Sequence, residues 1–417
     1  MRAALAANNK AQSTNGLNPH NTLTPRPTSP QGSSHFSLPF SLFLHHLSAS
    51  HPPLRSHPPP ASLPPTKTSL PSTKTSLSLT MSALAYAAER AVAIHAVLAA
   101  SKVCQRVFTK LVNGETITKK DKSPVTVADF SAQAVVNTFL HKSFPEDPIV
   151  GEEDSKDLRG EEGRPMREKV LELANSGLDT LLTEQSLLET IDRGTYAGGA
   201  SGRMWALDPI DGTKGFLRGE QFAVCLALIV DGQVELGVMG CPNLPVDAKD
   251  QDGEKGCLFI TVKGQGAFQR NFSSSTEIPI SMCDIQSLAD ASFCESVESG
   301  HSNQSDSAKI AQLLGITRPP VRMDSQCKYC SLSRGDAEIY LRLPVSASYE
   351  EKIWDHASGS LLVAEAGGIV SDIHGKPLDF SKGRTLATNS GVIASHAKIH
   401  GKVIEAVQKV LFPEGKL

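Results

Sequence analysis

Between positions 82 and 111 apolar residues return every three to four places. Leu84, Ala87, Ala91, Ile94, Val97 and Leu98 form one stripe, which predicts a single long helix over 82–111 with Ser82 as its N-cap. His95 lies beside that stripe and reads as a packed helix histidine. A polar, basic connection at 116–122 leads to Ser123-Pro-Val-Thr-Val-Ala-Asp129 and a second helix from about 130 to 141. Asp129 stands at the start of that helix, where a plain N-cap is the simplest role. A short strand over 147–151 then delivers Glu152, Glu153 and Asp154 to its end. Helical spacing resumes through Val170, Leu171 and Ala174, and again from Leu181 to Ile191. The glycine-rich stretch at 194–202 reads as a mobile linker. No Gly-Lys-Ser/Thr follows it, so it lacks the signature of a phosphate loop.

Beyond 203 the period changes. The apolar runs 222–230 and 233–239 are separated by Asp231-Gly232, a hairpin signal, and 258–262 and 266–268 extend the antiparallel pattern. The second half alternates strands (292–294, 321–323, 338–343, 369–373 with a closing strand at 377–380) and helices (308–314, one opened by 325–329, 356–366, 398–411). This mixture predicts an α+β or α/β fold. Its larger domain is built on an antiparallel sheet over 81–275, and its smaller α/β domain spans 276–417. No G-x-G-x-x-G sits between a strand and a helix, which argues against a dinucleotide-binding fold. No apolar run approaches the roughly 20 residues a bilayer span needs.

Residues 1–80 are a different polymer. They hold six Lys and Arg and no Asp or Glu, and repeat Thr-Lys-Thr-Ser-Leu at 66–70 and 73–77. Such a segment buries too little apolar surface to offset chain entropy, so disorder is expected. Two other readings stay open: a mitochondrial-type presequence, and translation starting at Met81. The expected location is cytoplasmic, or mitochondrial if 1–80 act as a presequence. Of 417 residues, 40% are hydrophobic, enough for a substantial core. Setting the tail aside moves the formal charge from −3 to −9 over 81–417. Neither nucleic acid nor an acidic membrane is an expected partner of such a chain. The eight cysteines are scattered. The single C-x-x-C, Cys327 and Cys330, lacks a second ligand pair and reads as two buried free thiols.

The densest chemistry lies in W-A-L-D-P-I-D-G-T-K-G-F-L-R-G, Trp205 to Gly219. Trp205, Ala206 and Leu207 predict the end of a buried strand, and Pro209 is expected to stop regular pairing. Asp208 and Asp211 then flank a tight turn, with the Thr213 hydroxyl behind them. Two carboxylates about 4 Å apart repel by roughly 4 kcal/mol at an effective dielectric near 20. A cation would offset that, and hard oxygen ligands favour Mg²⁺ over Zn²⁺ or copper. Taken alone, the six residues 208–213 read more readily as an Asp-rich surface turn, and Asp355 as a helix cap.

Together with Val-Gly-Glu-Glu at 150–153 and Trp-Asp-His-Ala at 354–357, Asp-Pro-Ile-Asp-Gly-Thr at 208–213 resembles the lithium-sensitive, Mg²⁺-dependent phosphatases of the inositol monophosphatase superfamily. The resemblance covers roughly 82–412 and implies a layered αβαβα sandwich. Wider words, among them Ser123 to Asp129, Gly300-His-Ser302, Ser325-Gln-Cys-Lys-Tyr329 and Tyr340-Leu-Arg-Leu-Pro344, are similar to the fungal bisphosphate nucleotidase branch. What the resemblance implies is two to three Mg²⁺ ions. Glu152, Asp208 and the Ile210 carbonyl would hold one, and Asp208, Asp211 and Asp355 a second, with Asp208 bridging. A weaker third would sit near Asp129 and Glu152. Asp129 would pair with Thr213 to position or deprotonate a water. His301, Ser325, Lys328 and Arg342 would contact a small-molecule nucleotide, together with Thr213. The implied reaction removes the 3′-phosphate of adenosine 3′,5′-bisphosphate, also accepting the 2′,5′ isomer and 3′-phosphoadenylyl sulfate, in sulfur assimilation and salt tolerance. Inhibition by Li⁺ and Na⁺ is implied as well, and a monomer is expected. The alternatives are an inositol (poly)phosphate 1-phosphatase using the same metal site, a sugar phosphatase, and a non-enzymatic nucleotide sensor.

Overall fold

The computed structural model describes residues 85–113, 123–285, 287–297, 304–346 and 348–413, all within one compact unit. Its first sheet has seven strands in chain order: β1 (Ile149–Gly151), β2 (Arg203–Asp211), β3 (Ala223–Val230), β4 (Gln233–Pro245), β5 (Lys255–Val262), β6 (Ala267–Asn271) and β7 (Ile278–Ile280). All neighbours are antiparallel except β1 and β2. The β3–β4 turn is the one the sequence predicts: Asp231 and Gly232 both have positive φ, 49° and 74°, as a tight hairpin turn requires. The second sheet orders its strands β11-β12-β10-β8-β9, with β8 at Phe293–Glu295, β9 at Val321–Arg322, β10 at Ile339–Arg342, β11 at Gly368–Ser371 and β12 at Val392–His396.

Helices cover both sheets. α1 (Ala87–Val112) and α2 (Ser123–Ser143) pack on the outer face of the first sheet, with α3 (Arg164–Asn175) and α4 (Glu184–Asp192) beside α2. Beyond that sheet, α5 (Thr213–Arg218) opens directly from β2. α6 (Gln304–Leu314), α7 (Cys327–Ser333), α8 (Ala357–Glu365) and α9 (His400–Leu411) belong to the second half. α7 and α8 lie between the sheets, while α6 and α9 cover the far face of the second. This is the layered αβαβα arrangement. The strand period of two shows why it holds. Ile339 and Leu341 of β10 enter the core beneath α6 and α9, while Tyr340 between them faces α7 and α8. On β3, Val224, Leu226 and Leu228 face α1 and α2, and Cys225 points to the opposite side.

Several sequence expectations change. α1 begins at Ala87, and Ser82 lies outside the described residues, as do 116–122. By length and composition α1 is long and apolar enough to cross a membrane, because Lys102 and Arg106 are its only charges over a long apolar stretch. Its stripe of Ala93, Ala96, Val97 and Ala100 is nevertheless fully buried against the sheet. α2 starts at Ser123, seven residues before the expected position near 130. Pro124 falls in its first turn, where no N–H is needed. Burial of Val125 and Val127 overrides their β-branched preference. Asp129 is thus inside a helix rather than at its cap. The 194–202 stretch is pinned rather than a linker: Arg384 bonds to two of its carbonyls. The closing strand is β12, not 377–380. Val392, Ile393 and Ala394 are fully buried between β10 and β11, whereas Pro377 offers no N–H to a ladder. The cysteines among the described residues are free, and Cys327 and Cys330 are buried on α7.

One packing detail in the second half sets an acid limit. His400 accepts or donates through both ring nitrogens, to Ser371 Oγ and Ser395 Oγ at 2.8 Å each, and burial holds its imidazole down at about 4. An unfolded histidine titrates near 6.5, so the unfolded chain takes up the proton first as pH falls. Stability is therefore lost between about 6.5 and 4. After allowance for solvent screening the loss is on the order of 2 kcal/mol. Thermal unfolding of His400→Gln is expected to show a shallower decline over that window. A pH dependence equal to that of the unaltered chain would contradict the assignment.

Candidate active site

The cleft is built where β2 ends. Pairing with β3 does not stop at Pro209: Asp208 faces Cys225 and Asp211 faces Ala223, so three steps on β2 match two on β3. The extra residue is a β-bulge, which bends the strand and re-aims its side chains. Asp208 and Asp211 are delivered from the two sides of the bulge, while the Ile210 side chain is buried in the core. Gly212 follows with φ 90°, and a Cβ there would stand 2.9 Å from Ser325 Cβ. That close approach lets α7 meet the start of α5. Thr213 opens α5 and is exposed at the cleft.

A cavity of about 210 Å³ is lined by Glu152, Asp208, Ile210, Asp211, Thr213 and Asp355 on its acidic side, and by Ser325, Lys328, Tyr340, Arg342 and Tyr349 opposite. Asp129, on α2, lies behind the acidic side and acts electrostatically on Asp208. The structure thus brings together the sequence-selected residues except His301, which lies outside the described residues. The expected Asp129–Thr213 pairing is not made: no hydrogen bond joins them, and Asp129 Oδ1 has no partner. A larger groove, about 830 Å³, runs along α1, α2 and α3 past Lys102, Arg106, Lys110 and Lys169, but holds no pair of carboxylates.

The acidic side is strongly frustrated. Burial, then Glu152, Asp211, Asp355 and Asp129, drives the Asp208 carboxyl well above the usual range. Burial, Glu152 and Glu153 do the same to Asp129. Solvent reaches Glu152 through the mouth of the cleft, but protein crowds its other sides. Burial, Asp355, Glu153 and Asp211 push it up to about 8. Asp211 rises to about 6 through burial and Asp355, against the pull of Lys328, the Gln326 N–H and Arg342. Asp355 is raised by burial in spite of Arg342 and His356. Asp208 Oδ1 and Asp129 Oδ1 are both buried without a hydrogen-bond donor. Buried acceptors of this kind need a partner. A group of hard oxygens with lone pairs to spare fits a divalent cation such as Mg²⁺.

A second acidic group, Glu351, Asp355 and His356, also has the spacing to hold a cation. Glu351 is already committed, however: it accepts from Arg342 at 2.8 and 2.9 Å and bonds His356 Nε2 at 3.2 Å. Burial opposes its ionisation, but His356 and Arg342 hold it at about 2. The spare oxygens are those of the Asp208 cluster.

The basic side is equally built. Arg342 is held by Glu351 and lies 3.6 Å from Asp355, with Tyr349 Oη 3.4 Å away. Lys328 donates to the Ser325 carbonyl at 2.8 Å and stands 5.4 Å above the Tyr340 ring. Burial lowers its pKa while Asp211 raises it. Residues outside the sequence-derived set hold this frame. Gln326 donates its N–H to Asp211, and its side chain bonds the Trp354 carbonyl, Ser358 and Gly359. Gln133, four residues after Asp129 and hence on the same face of α2, bonds both backbone groups of Glu153. That i, i+4 spacing was the one signal available for it.

Residues 86–411 match the inositol monophosphatase family. The chain belongs to that family. Curated relatives include the 3′(2′),5′-bisphosphate nucleotidase of Emericella nidulans, 50% identical over 351 residues that cover 79% of this chain and 99% of the relative. Another, of the same description, comes from Schizosaccharomyces pombe: 49% identical, covering 78% of this chain and 97% of the relative. Among solved structures, an inositol monophosphatase from Zymomonas mobilis superposes with a TM-score of 0.52 at 21% identity, covering 78% of this chain and 99% of that one. At that identity the family's shared feature is the fold.

Proposed function

We propose that this family member is a Mg²⁺-dependent phosphatase that removes the 3′-phosphate of adenosine 3′,5′-bisphosphate, giving AMP and phosphate. The observation that carries the reading is the two-sided cleft. Unsatisfied carboxylates on one wall face the buried cations Lys328 and Arg342 on the other. That polarity suits a substrate with two phosphates, one held by the cations and one presented to a metal centre. The names of the relatives point to the same substrate class.

Glu152, Asp208, Asp211, Asp355 and the Ile210 carbonyl would hold Mg²⁺, with a further ion near Asp129. Bound there, Mg²⁺ supplies Lewis-acid stabilisation of charge on the reacting phosphoryl group. The remaining work falls to the chain. Asp129 Oδ1, free of other partners, accepts a hydrogen bond from the attacking water, and the Thr213 hydroxyl, at the cleft, orients that water with it. The water oxygen bonds to phosphorus as the P–O3′ bond breaks, and a proton finishes on the 3′-hydroxyl of AMP. Lys328 and Arg342 hold the dianionic 5′-phosphate with charged donors, and Ser325 adds its hydroxyl. His301 would join them. The 2′,5′ isomer and 3′-phosphoadenylyl sulfate present the same charges and are accepted. Li⁺ and Na⁺ compete for the carboxylate site.

Incubation of the full chain with adenosine 3′,5′-bisphosphate and Mg²⁺ is expected to release one phosphate per nucleotide and leave adenosine 5′-monophosphate. EDTA abolishes the reaction and Li⁺ inhibits it. Formation of adenosine 3′-monophosphate, or turnover unaffected by EDTA, would refute the assignment.

A further inference from the structure

Arg384 lies outside the cleft but touches both of its acidic arms. Its main chain is tied to the segment before Asp355: Ile353 N–H donates to the Arg384 carbonyl at 3.1 Å, and Leu386 N–H to the Glu351 carbonyl at 2.8 Å. Its side chain then crosses to the first sheet. The guanidinium donates to the carbonyl of Gly151, the residue before Glu152, and to the carbonyls of Gly194 and Tyr196 at 3.1 and 3.0 Å. Its Cζ stands 4.8 Å from the ring centroid of Trp354, the residue before Asp355. One planar cation therefore joins the residues that immediately precede two carboxylates drawn from opposite halves of the chain.

Burial lowers the Arg384 pKa, while Asp154 and Glu152 pull the other way and favour its cation. An ammonium could not replace it. Lysine lacks the planar fork that serves three carbonyls at once and the flat face that stacks on indole.

We propose that Arg384 is a positioning residue: it sets the spacing of Glu152 from Asp355 and so tunes the cleft's affinity for its divalent cation. The inference rests on the proposed Mg²⁺ site. It separates Arg384 from a purely structural tie, because a tie would alter stability while leaving cation affinity in the folded chain unchanged.

The test is isothermal titration calorimetry of Mg²⁺ into the full chain without nucleotide, for the unaltered protein, Arg384→Lys, Arg384→Ala and Asp208→Asn. Outer-shell partners of metal ligands typically contribute 10- to 100-fold, so both Arg384 variants are expected to bind Mg²⁺ roughly 10- to 100-fold more weakly. At saturating Mg²⁺ their KM for adenosine 3′,5′-bisphosphate is expected to stay within about twofold, since Lys328 and Arg342 are untouched. Arg384→Lys keeps the stem and the charge, and it decides the matter if Arg384→Ala does not fold. Unchanged Mg²⁺ affinity in Arg384→Lys, beside a clear loss in Asp208→Asn, overturns this inference alone. Equal binding by the unaltered chain and Asp208→Asn overturns the proposed metal site and this inference with it.

Discussion

Asp208→Asn is expected to lower kcat on adenosine 3′,5′-bisphosphate by more than the roughly 100-fold typical of outer-shell changes, and to raise Tm when Mg²⁺ is absent. The two effects share a cause. Asp208 is 2% exposed, leaves Oδ1 without a donor, and is pushed upward by burial and by Glu152, Asp211, Asp355 and Asp129. Without a cation that carboxyl is a liability, and its neutral isostere relieves it. In the proposed Mg²⁺ site it would hold the cation together with Glu152, Asp211 and Asp355. The pH dependence follows the same logic. The folded pKa values of Asp211 and Glu152, about 6 and about 8, lie above the ordinary values of about 3.9 and 4.3. The folded state therefore binds more protons across that window, and the metal-free protein loses stability as pH rises from about 4 through 8. Added Mg²⁺ is expected to restore it. Kinetics together with thermal unfolding in EDTA and in Mg²⁺ checks the prediction. A variant with unaltered kcat, or with a lower Tm in EDTA, contradicts the role given to Asp208.

Arg342→Ala is expected to remove the enzyme's preference for a second phosphate. Arg342 is held by Glu351 on one side and reaches Asp355 on the other, so its guanidinium is fixed before any substrate arrives. Truncating one partner of a buried charged pair costs about 2–5 kcal/mol, so kcat/KM for adenosine 3′,5′-bisphosphate should fall by at least about 30-fold. Adenosine 3′-monophosphate lacks the 5′-phosphate that Arg342 is proposed to hold and should be affected far less. Arg342→Lys keeps the charge but loses the fork that Glu351 grips, and is expected to recover only part of the loss. Glu351 then keeps His356 as a partner at 3.2 Å, which limits the structural damage. Equal losses on both substrates would assign Arg342 to the fold rather than to the 5′-phosphate.

Glu152, Asp211 and Asp355 were legible in the sequence because each sits where a strand or helical turn ends. Pro209, Gly212 and the two aspartates confine 208–213 to a few conformations. The bulge that lets β2 run on to Asp211 was not legible, since it depends on the register β3 imposes from across the sheet. Asp129 was found as an acid but misplaced as a cap. The β-branched stretch before it favours extended chain locally, and only its burial beneath α1 and the sheet makes it helical. Gln326 and Arg384 were missed because each serves groups distant in sequence, and nothing in its own neighbourhood marks it. Gln133 offered only its i, i+4 spacing from Asp129, and Glu351 grips Arg342 and His356 from nine and five residues away. Arg384 reaches back to Gly151, and Gln326 reaches Asp211. The 194–202 stretch shows the converse error, because glycine content alone suggested mobility where Arg384 supplies a clamp.

The most direct test of the central claim, that one wall of the cleft holds Mg²⁺ while the other selects a nucleotide with two phosphates, is a competition of substrates on a single preparation. The full chain, with Mg²⁺, is given adenosine 3′,5′-bisphosphate, inositol 1-phosphate and inositol 1,4-bisphosphate, and kcat/KM is measured for each. A kcat/KM for the nucleotide well above that of either inositol phosphate, lost in Arg342→Ala, is the predicted result. An inositol phosphate turned over as well as the nucleotide would leave the carboxylate wall standing and contradict the role assigned to Ser325, Lys328 and Arg342.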